Sequence, residues 1–351
     1  MKDLIKALFH AGLRLIPLPL YRRLIQRDQI GLFYHAVSER PLPHVRHLYP
    51  PLSPGRFERT LLHLKESFHP VSYAELRAHV LEGAVLPPNA VHLSFDDGYA
   101  ECFGIVRPLL LKHQVPCTFF ITTDFLDNQR MFYRNQVSLC IERALGWGEA
   151  QAVEELATVN AAFGLLLRDV GDFVEWAKSL RWADGDLVEA LCEQVGVDVD
   201  GYLKEERPYL DREQLVQMAA EGFTIGAHSK SHPKLAEVGL DVMEKEIVGS
   251  CQAISELTGR SRVPFAFPNT ASGIDRGALA EIYRRNPVIE LMFDTKGIRS
   301  DLEFIVNRIW AEHPAYQRGG VVRDLRRLLA AAYREEAWEG LQRKRLAARP
   351  A

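Results

Sequence analysis

Residues 90–122 constrain the fold more than any other stretch. Residues 90–95 read as a strand, 99–113 as a helix and 115–122 as a second strand. Strands joined through a helix run the same way, since an antiparallel pair needs only a short turn. A parallel βαβ unit places the chain in the α/β class, with helices packed on the faces of the sheet.

The same alternation continues on both sides. Residues 29–35 mix β-branched and aromatic side chains as a strand does. Ser53-Pro54 opens a helix running to about residue 68, with Phe57, Leu61, Leu64 and Phe68 on one face. Ser72 and Glu75 form a capping box that starts another. From Leu210 onward the spacing predicts a helix over 211–221, a strand over 222–227 and a helix over 240–258 closed by Gly259. A strand over 263–267, a helix over 275–285 and strands over 290–294 and 303–310 follow. Residues 128–206 are different: helical in pattern, with 15 acidic against 5 basic residues between Ile141 and Glu206. Chemically suggestive motifs flank this stretch on both sides, so it reads as a helical insertion in one α/β domain. The expected organisation is an amphipathic helical segment over 1–28, a catalytic domain over 29–315 interrupted at 128–206, and a basic helical tail over 316–351.

Whole-chain charge is near neutral, with 43 Lys and Arg against 46 Asp and Glu. That gives no electrostatic case for nucleic acid as a partner. Five widely spaced cysteines without a Cys-x-x-Cys motif fit reduced thiols. Lys6, His10 and Arg14 interrupt the apolar residues of the N-terminus, so a signal peptide is not expected there. The expected location is therefore the cytoplasm. Residues 1–27 carry six basic residues against one acidic, and 316–351 nine against four, so peripheral contact with the inner membrane face is a second expectation.

Two short segments carry the chemistry. Ser94-Phe95-Asp96-Asp97-Gly98 ends a predicted strand, where the sites of α/β folds gather. Adjacent carboxylates at a strand end point apart, so one can hold a metal while the other handles a proton. Gly226-Ala227-His228-Ser229-Lys230-Ser231-His232 follows another predicted strand. Two imidazoles and one carboxylate make a three-ligand metal site with open positions, the layout of a catalytic site.

These two motifs, in this order and each after a strand, resemble those of the polysaccharide deacetylases (carbohydrate esterase family 4). The resemblance spans residues 29–128 and 208–310 and implies a distorted (β/α) barrel carrying a helical insertion. It implies Asp96 as catalytic base and Asp97, His228 and His232 as ligands of a divalent metal, Zn²⁺ first among them. The family's Phe-Arg-x-Pro-Tyr-Gly motif is represented by Phe265-Ala266-Phe267-Pro268-Asn269-Thr270. Asn269 matches the residue whose backbone N–H donates to the oxyanion. Ala266 stands where the arginine that braces the base would be, and Arg308 is the candidate replacement. No clean match exists for the family's acidic histidine. His313 is the nearest candidate for that role, His35 is a candidate pocket residue, and the proton donor stays unassigned.

The resemblance implies hydrolysis of an N-acyl, foremost an N-acetyl, amide on an amino sugar or glycan precursor. A deformylase or other amidase acting on a lipid-linked or small-molecule substrate is the rival enzyme. An inactive glycan-binding or assembly protein on the same fold is the alternative from another class.

Overall fold

The computed structural model describes residues 29–347, together with Leu20 and Ile25. The expected helical segment over 1–28 otherwise lies outside the described residues, as do residues 348–351.

Seven parallel strands close into a barrel. They are β1 (Gln29–Tyr34), β3 (Ala90–Phe95), β4 (Thr118–Ile121), β5 (Thr224–Ala227), β6 (Val263–Ala266), β7 (Ile289–Asp294) and β8 (Ile305–Trp310). Closure comes from β1, which pairs with β3 from Gln29↔Ala90 to Tyr34↔Phe95 and with β8 at Gly31↔Arg308. A two-residue strand, β2 (His69–Pro70), pairs with the first two residues of β3, while β4 pairs with its last two. Sequence reading misses β2 because two residues carry no periodicity.

Both faces of each strand are covered, so β3 is buried from end to end. Alternate side chains take opposite sides. Phe95 points outward, against Tyr34, Phe57 and Phe119. His92 and Ser94 point inward, where His92 bonds Thr118 at 2.9 Å and Ser94 accepts from Arg308 at 2.8 Å.

The connecting helices follow the sequence closely. The helix α1 (Pro54–Ser67) begins with Pro and buries Phe57, Leu61 and Leu64. The helix α2 (Tyr73–Glu82) starts at the Ser72–Glu75 capping box. Residues 99–113 do not form one regular helix. A wide π turn over Cys102–Val106, in which Arg107 N–H reaches Cys102 O, precedes α3 (Arg107–His113). Pro108 has no N–H for the carbonyl four residues back, so the narrower register loses a bond there.

Between β4 and β5 the chain adds five helices: α4 (Tyr133–Leu145), α5 (Glu149–Phe163), α6 (Val170–Ser179), α7 (Gly185–Gln194) and α8 (Val199–Glu206). They pack around their own cluster of Ile141, Val159, Phe173, Val188 and Leu191. A second cluster, including Tyr49, Tyr99, Phe125, Phe132, Leu139 and Tyr209, ties this insertion to the barrel rim. Then come α9 (Arg212–Ala220), α10 (Leu240–Thr258, with Gly259 at φ 69°) and α11 (Arg276–Arg285). The last helix, α12 (Val321–Ala347), buries Leu325, Leu328, Leu329 and Tyr333 in the main core. It leaves Arg323, Arg326 and Arg327 exposed. No helix among the described residues is long and apolar enough to cross a membrane. All five cysteines are free and buried.

Candidate metal and catalytic site

The C-terminal ends of the strands share one rim, and a cavity of about 570 Å³ opens there. Asp96 and Asp97 follow β3, His228 and His232 follow β5, Asn269 follows β6, and His35 and His313 follow β1 and β8. All seven line that cavity. Arg308 lies beneath it within β8 and is fully buried.

The backbone is bent to present these groups. Among the described residues nine non-glycines take positive φ, and four stand on this rim: Asp97 (72°), Ser229 (62°), His232 (63°) and Asn269 (59°). Such conformations cost roughly 1–3 kcal/mol each and gather at functional sites. Glu246 of α10 fixes the histidine loop. It accepts from Lys230 N–H (2.8 Å), Ser231 N–H (2.9 Å) and the Ser231 hydroxyl (2.7 Å).

Asp97, His228 and His232 converge. The Nε2 atoms of His228 and His232 lie 3.4 and 3.3 Å from Asp97 Oδ1. That oxygen is buried and has no hydrogen-bond partner. Nδ1 of His228 bonds the carbonyl of Ala266 at 2.9 Å, which leaves Nε2 free to act as a ligand. Ligands bonded at about 2.0–2.2 Å to one tetrahedral ion stand about this far apart. The trio therefore fits a divalent cation, and it is a group of three that could hold one. Burial alone would raise the Asp97 pKa, but His228 and His232 beside it hold it well below the usual carboxylate range. Burial pushes His232 below its ordinary value, which favours the neutral imidazole a ligand needs. Tyr49 donates to the other Asp97 oxygen at 2.9 Å, with the Tyr99 hydroxyl 3.3 Å away. Asn135 of α4 donates to Tyr99 at 3.1 Å, so the network runs from Asp97 into the insertion.

Asp96 faces the other way. Arg308 forks onto it, with Nη1 2.7 Å from Oδ1 and Nη2 2.9 Å from Oδ2. The guanidinium is enclosed by Phe33, Phe120 and Phe293, with ring centroids 4.7, 5.0 and 5.7 Å from its central carbon. Gly31 makes room for it, since a Cβ there would lie 2.8 Å from Arg308 Cγ.

The two candidate histidines differ in their partners. Glu312, fully buried, accepts from His35 N–H at 2.9 Å and lies 2.5 Å from its Nδ1. Burial alone would lower the His35 pKa, but Glu312 raises it to about 9. His313 packs edge-on to Trp310, and its Nδ1 accepts from Ala315 N–H at 3.2 Å. Asn269 is held by the Thr295 hydroxyl, which donates to its carbonyl at 2.8 Å.

Tyr49, Glu246 and Glu312 were not legible in the sequence. Each acts through a single side chain with no local spacing. The one available signal was that Glu312 immediately precedes His313 at the end of β8.

Residues 84–164 and 176–282, more than half of the chain, match the family model for polysaccharide deacetylases. The chain belongs to the polysaccharide deacetylase family. The match takes in most of the helical insertion, which the motifs alone left outside. As a deacetylase, the chain is a hydrolase of carbon–nitrogen bonds other than peptide bonds, directed at an acetylated glycan. No curated protein matches it. Among solved structures it is similar to IcaB from Ammonifex degensii (15% identity, TM-score 0.52, covering 88% of this chain and 97% of that one). It is also similar to the Streptococcus pyogenes deacetylase PplD in complex with acetate (15% identity, TM-score 0.51, covering 81% and 92%). At these identities the likeness concerns the fold: the deacetylase (β/α) barrel.

Proposed function

We propose that this deacetylase hydrolyses the N-acetyl amide of an amino sugar, with a divalent metal held by Asp97, His228 and His232. The observation that carries the reading is the buried, unpartnered Asp97 Oδ1 facing two Nε2 atoms beside a carboxylate braced by Arg308. Two imidazoles and a carboxylate suit Zn²⁺. A bound divalent metal supplies Lewis acidity, polarising the amide carbonyl and lowering the pKa of bound water toward ~7.

Asp96, fixed by the Arg308 fork, accepts the proton of the attacking water. The backbone N–H of Asn269 donates to the developing oxyanion. The departing nitrogen needs a proton, and His35 supplies it. Its Nδ1 is engaged by Glu312, so the proton available to the cavity is on Nε2. His313 lines the same cavity, but among the described residues no carboxylate holds its ring.

Acetate and free amine released together from N-acetylated chitooligosaccharides by the metal-loaded protein would support this function. Failure to release either from any N-acetylated amino sugar would refute it. The pH profile tests the proton donor. A folded-state pKa of about 9 against an ordinary 6.5 means His35 is charged throughout the neutral range. The rate should fall as pH rises through the folded value. In Glu312→Gln that alkaline fall should begin at lower pH, because the group that raises the His35 pKa is gone. The ion pair's contribution to stability should be full below the ordinary value and lost as pH rises through the folded one. An alkaline limb unmoved by Glu312→Gln would assign the donor elsewhere.

A further inference from the structure

We propose that the helical insertion positions Asp97 for a cation through a one-way relay of hydrogen bonds ending on Tyr49. The proposal rests on the reading of Asp97, His228 and His232 as a metal site.

Counting protons fixes the direction of the relay. An ionised carboxylate only accepts, so the Tyr49 hydroxyl gives its single proton to Asp97 Oδ2 at 2.9 Å. Tyr49 is then left to accept from Tyr99, whose hydroxyl is 3.3 Å away. Tyr99 in turn accepts from Asn135 Nδ2 at 3.1 Å. The other acceptor near Tyr99, Asn135 Oδ1, is 3.4 Å away and already takes the Tyr209 proton at 2.5 Å. The Asn135 amide has one orientation. Its Nδ2 lies 2.7 Å from the carbonyl of His44, and a carbonyl only accepts. The relay starts on the backbone, where Phe132 N–H donates to the Tyr209 oxygen at 3.1 Å. Every donor from Phe132 to Tyr49 thus points toward Asp97, and hydrogen bonds aligned in this way polarise one another.

The parts of the relay come from separate elements. Phe132 and Asn135 stand at the start of α4, in the insertion, while Tyr99 follows β3 and Tyr49 lies in the loop before α1. Tyr49, Tyr99, Asn135 and Tyr209 are all buried, which limits replacement of a lost donor by water. The bond from Asn135 to His44 also holds the loop that carries Tyr49. The Tyr49 ring is fixed on two sides: it stacks on His35 with centroids 4.4 Å apart and meets Trp310 edge-on at 6.2 Å.

Asp97 is left with two unlike oxygens. Tyr49 engages Oδ2, while Oδ1 stays unpartnered and faces the Nε2 atoms of His228 and His232. Without the last donor the carboxylate is free to turn, and nothing selects Oδ1 for the cation. Groups that orient a ligating side chain in this way typically contribute about 10–100-fold to metal affinity.

Metal binding to the full-length protein tests this, by competition for Zn²⁺ against a chromophoric chelator and by the visible absorption of Co²⁺ in the same site. Tyr49→Phe keeps the ring and its stacking on His35 but removes the final donor. It should weaken Zn²⁺ binding about 10–100-fold. It should also alter the Co²⁺ absorption band, which reports ligand geometry rather than folding. Asn135→Ala should weaken binding in the same direction. Placed in the Tyr49→Phe background it should add less than about twofold, because a broken relay has nothing left to transmit. Wild-type affinity and spectrum in Tyr49→Phe would overturn the proposal, as would losses that multiply in the double variant. Tyr49→Phe decides the matter alone should Asn135→Ala fail to fold. Relay-dependent metal binding without acetate release would uphold the proposal and refute the hydrolytic reading. Acetate release with unchanged Zn²⁺ affinity in Tyr49→Phe would overturn the proposal and leave that reading standing.

Discussion

Asp96→Asn is expected to lower acetate release by ~10²–10⁴-fold, the range that positioned acid–base groups contribute, while the protein retains its metal. The separation follows from geometry. Asp97 Oδ1 faces His228 and His232, whereas both oxygens of Asp96 are engaged by Arg308. The amide cannot accept the water's proton, and it meets Arg308 with one oxygen instead of two. Stability should fall as well, because breaking a buried ion pair on one side typically costs about 3–5 kcal/mol. Metal content, a denaturation curve and turnover must therefore be measured together. Near wild-type turnover in this variant would remove Asp96 from the role of base.

Arg308→Leu should be nearly as damaging, for a different reason. It leaves the Asp96 carboxylate buried without a partner, and it removes the donor to Ser94. The expected loss is about 3–5 kcal/mol of folding stability. A base misplaced by even an ångström adds a fall in turnover of ~10²-fold. Arg308→Lys should be intermediate, since an ammonium keeps the charge but cannot fork onto two oxygens. Urea unfolding of the three proteins gives the order, and acetate release should follow the same order. Full activity in the leucine variant would show that the Arg308 fork is a packing feature with no part in orienting the base.

Much of this was open to sequence reading, for physical reasons. Strands buried on both faces read as short apolar runs, so β3, β5, β6 and β7 were found within a few residues. Helix boundaries were marked by local chemistry, as at Ser72–Glu75 and Gly259. The convergence of Asp97, His228 and His232 was legible because each motif follows a strand and carries its own spacing. Arg308 was reached only indirectly, through the missing arginine at Ala266. The structure supplies the reason it can serve: β1 carries a glycine at the level where the Arg308 side chain crosses the barrel. The His35–Glu312 pair was beyond local pattern, because barrel closure brings together residues 277 positions apart. Tyr49 and Glu246 act on the site from a loop and a helix face, where a single polar residue looks like any other. The π turn before α3 was hidden for a similar reason, since Pro108 signals a disturbed helix but not the form it takes.

The central claim is that Asp97, His228 and His232 hold a metal the reaction requires. Acetate release from an N-acetylated chitooligosaccharide should be followed on the protein as purified, after chelation and dialysis, and after one equivalent of Zn²⁺ is returned. Loss of release on chelation and its recovery with the metal is the expected result, with no recovery in His228→Ala. Undiminished release from protein shown to be metal-free would contradict it.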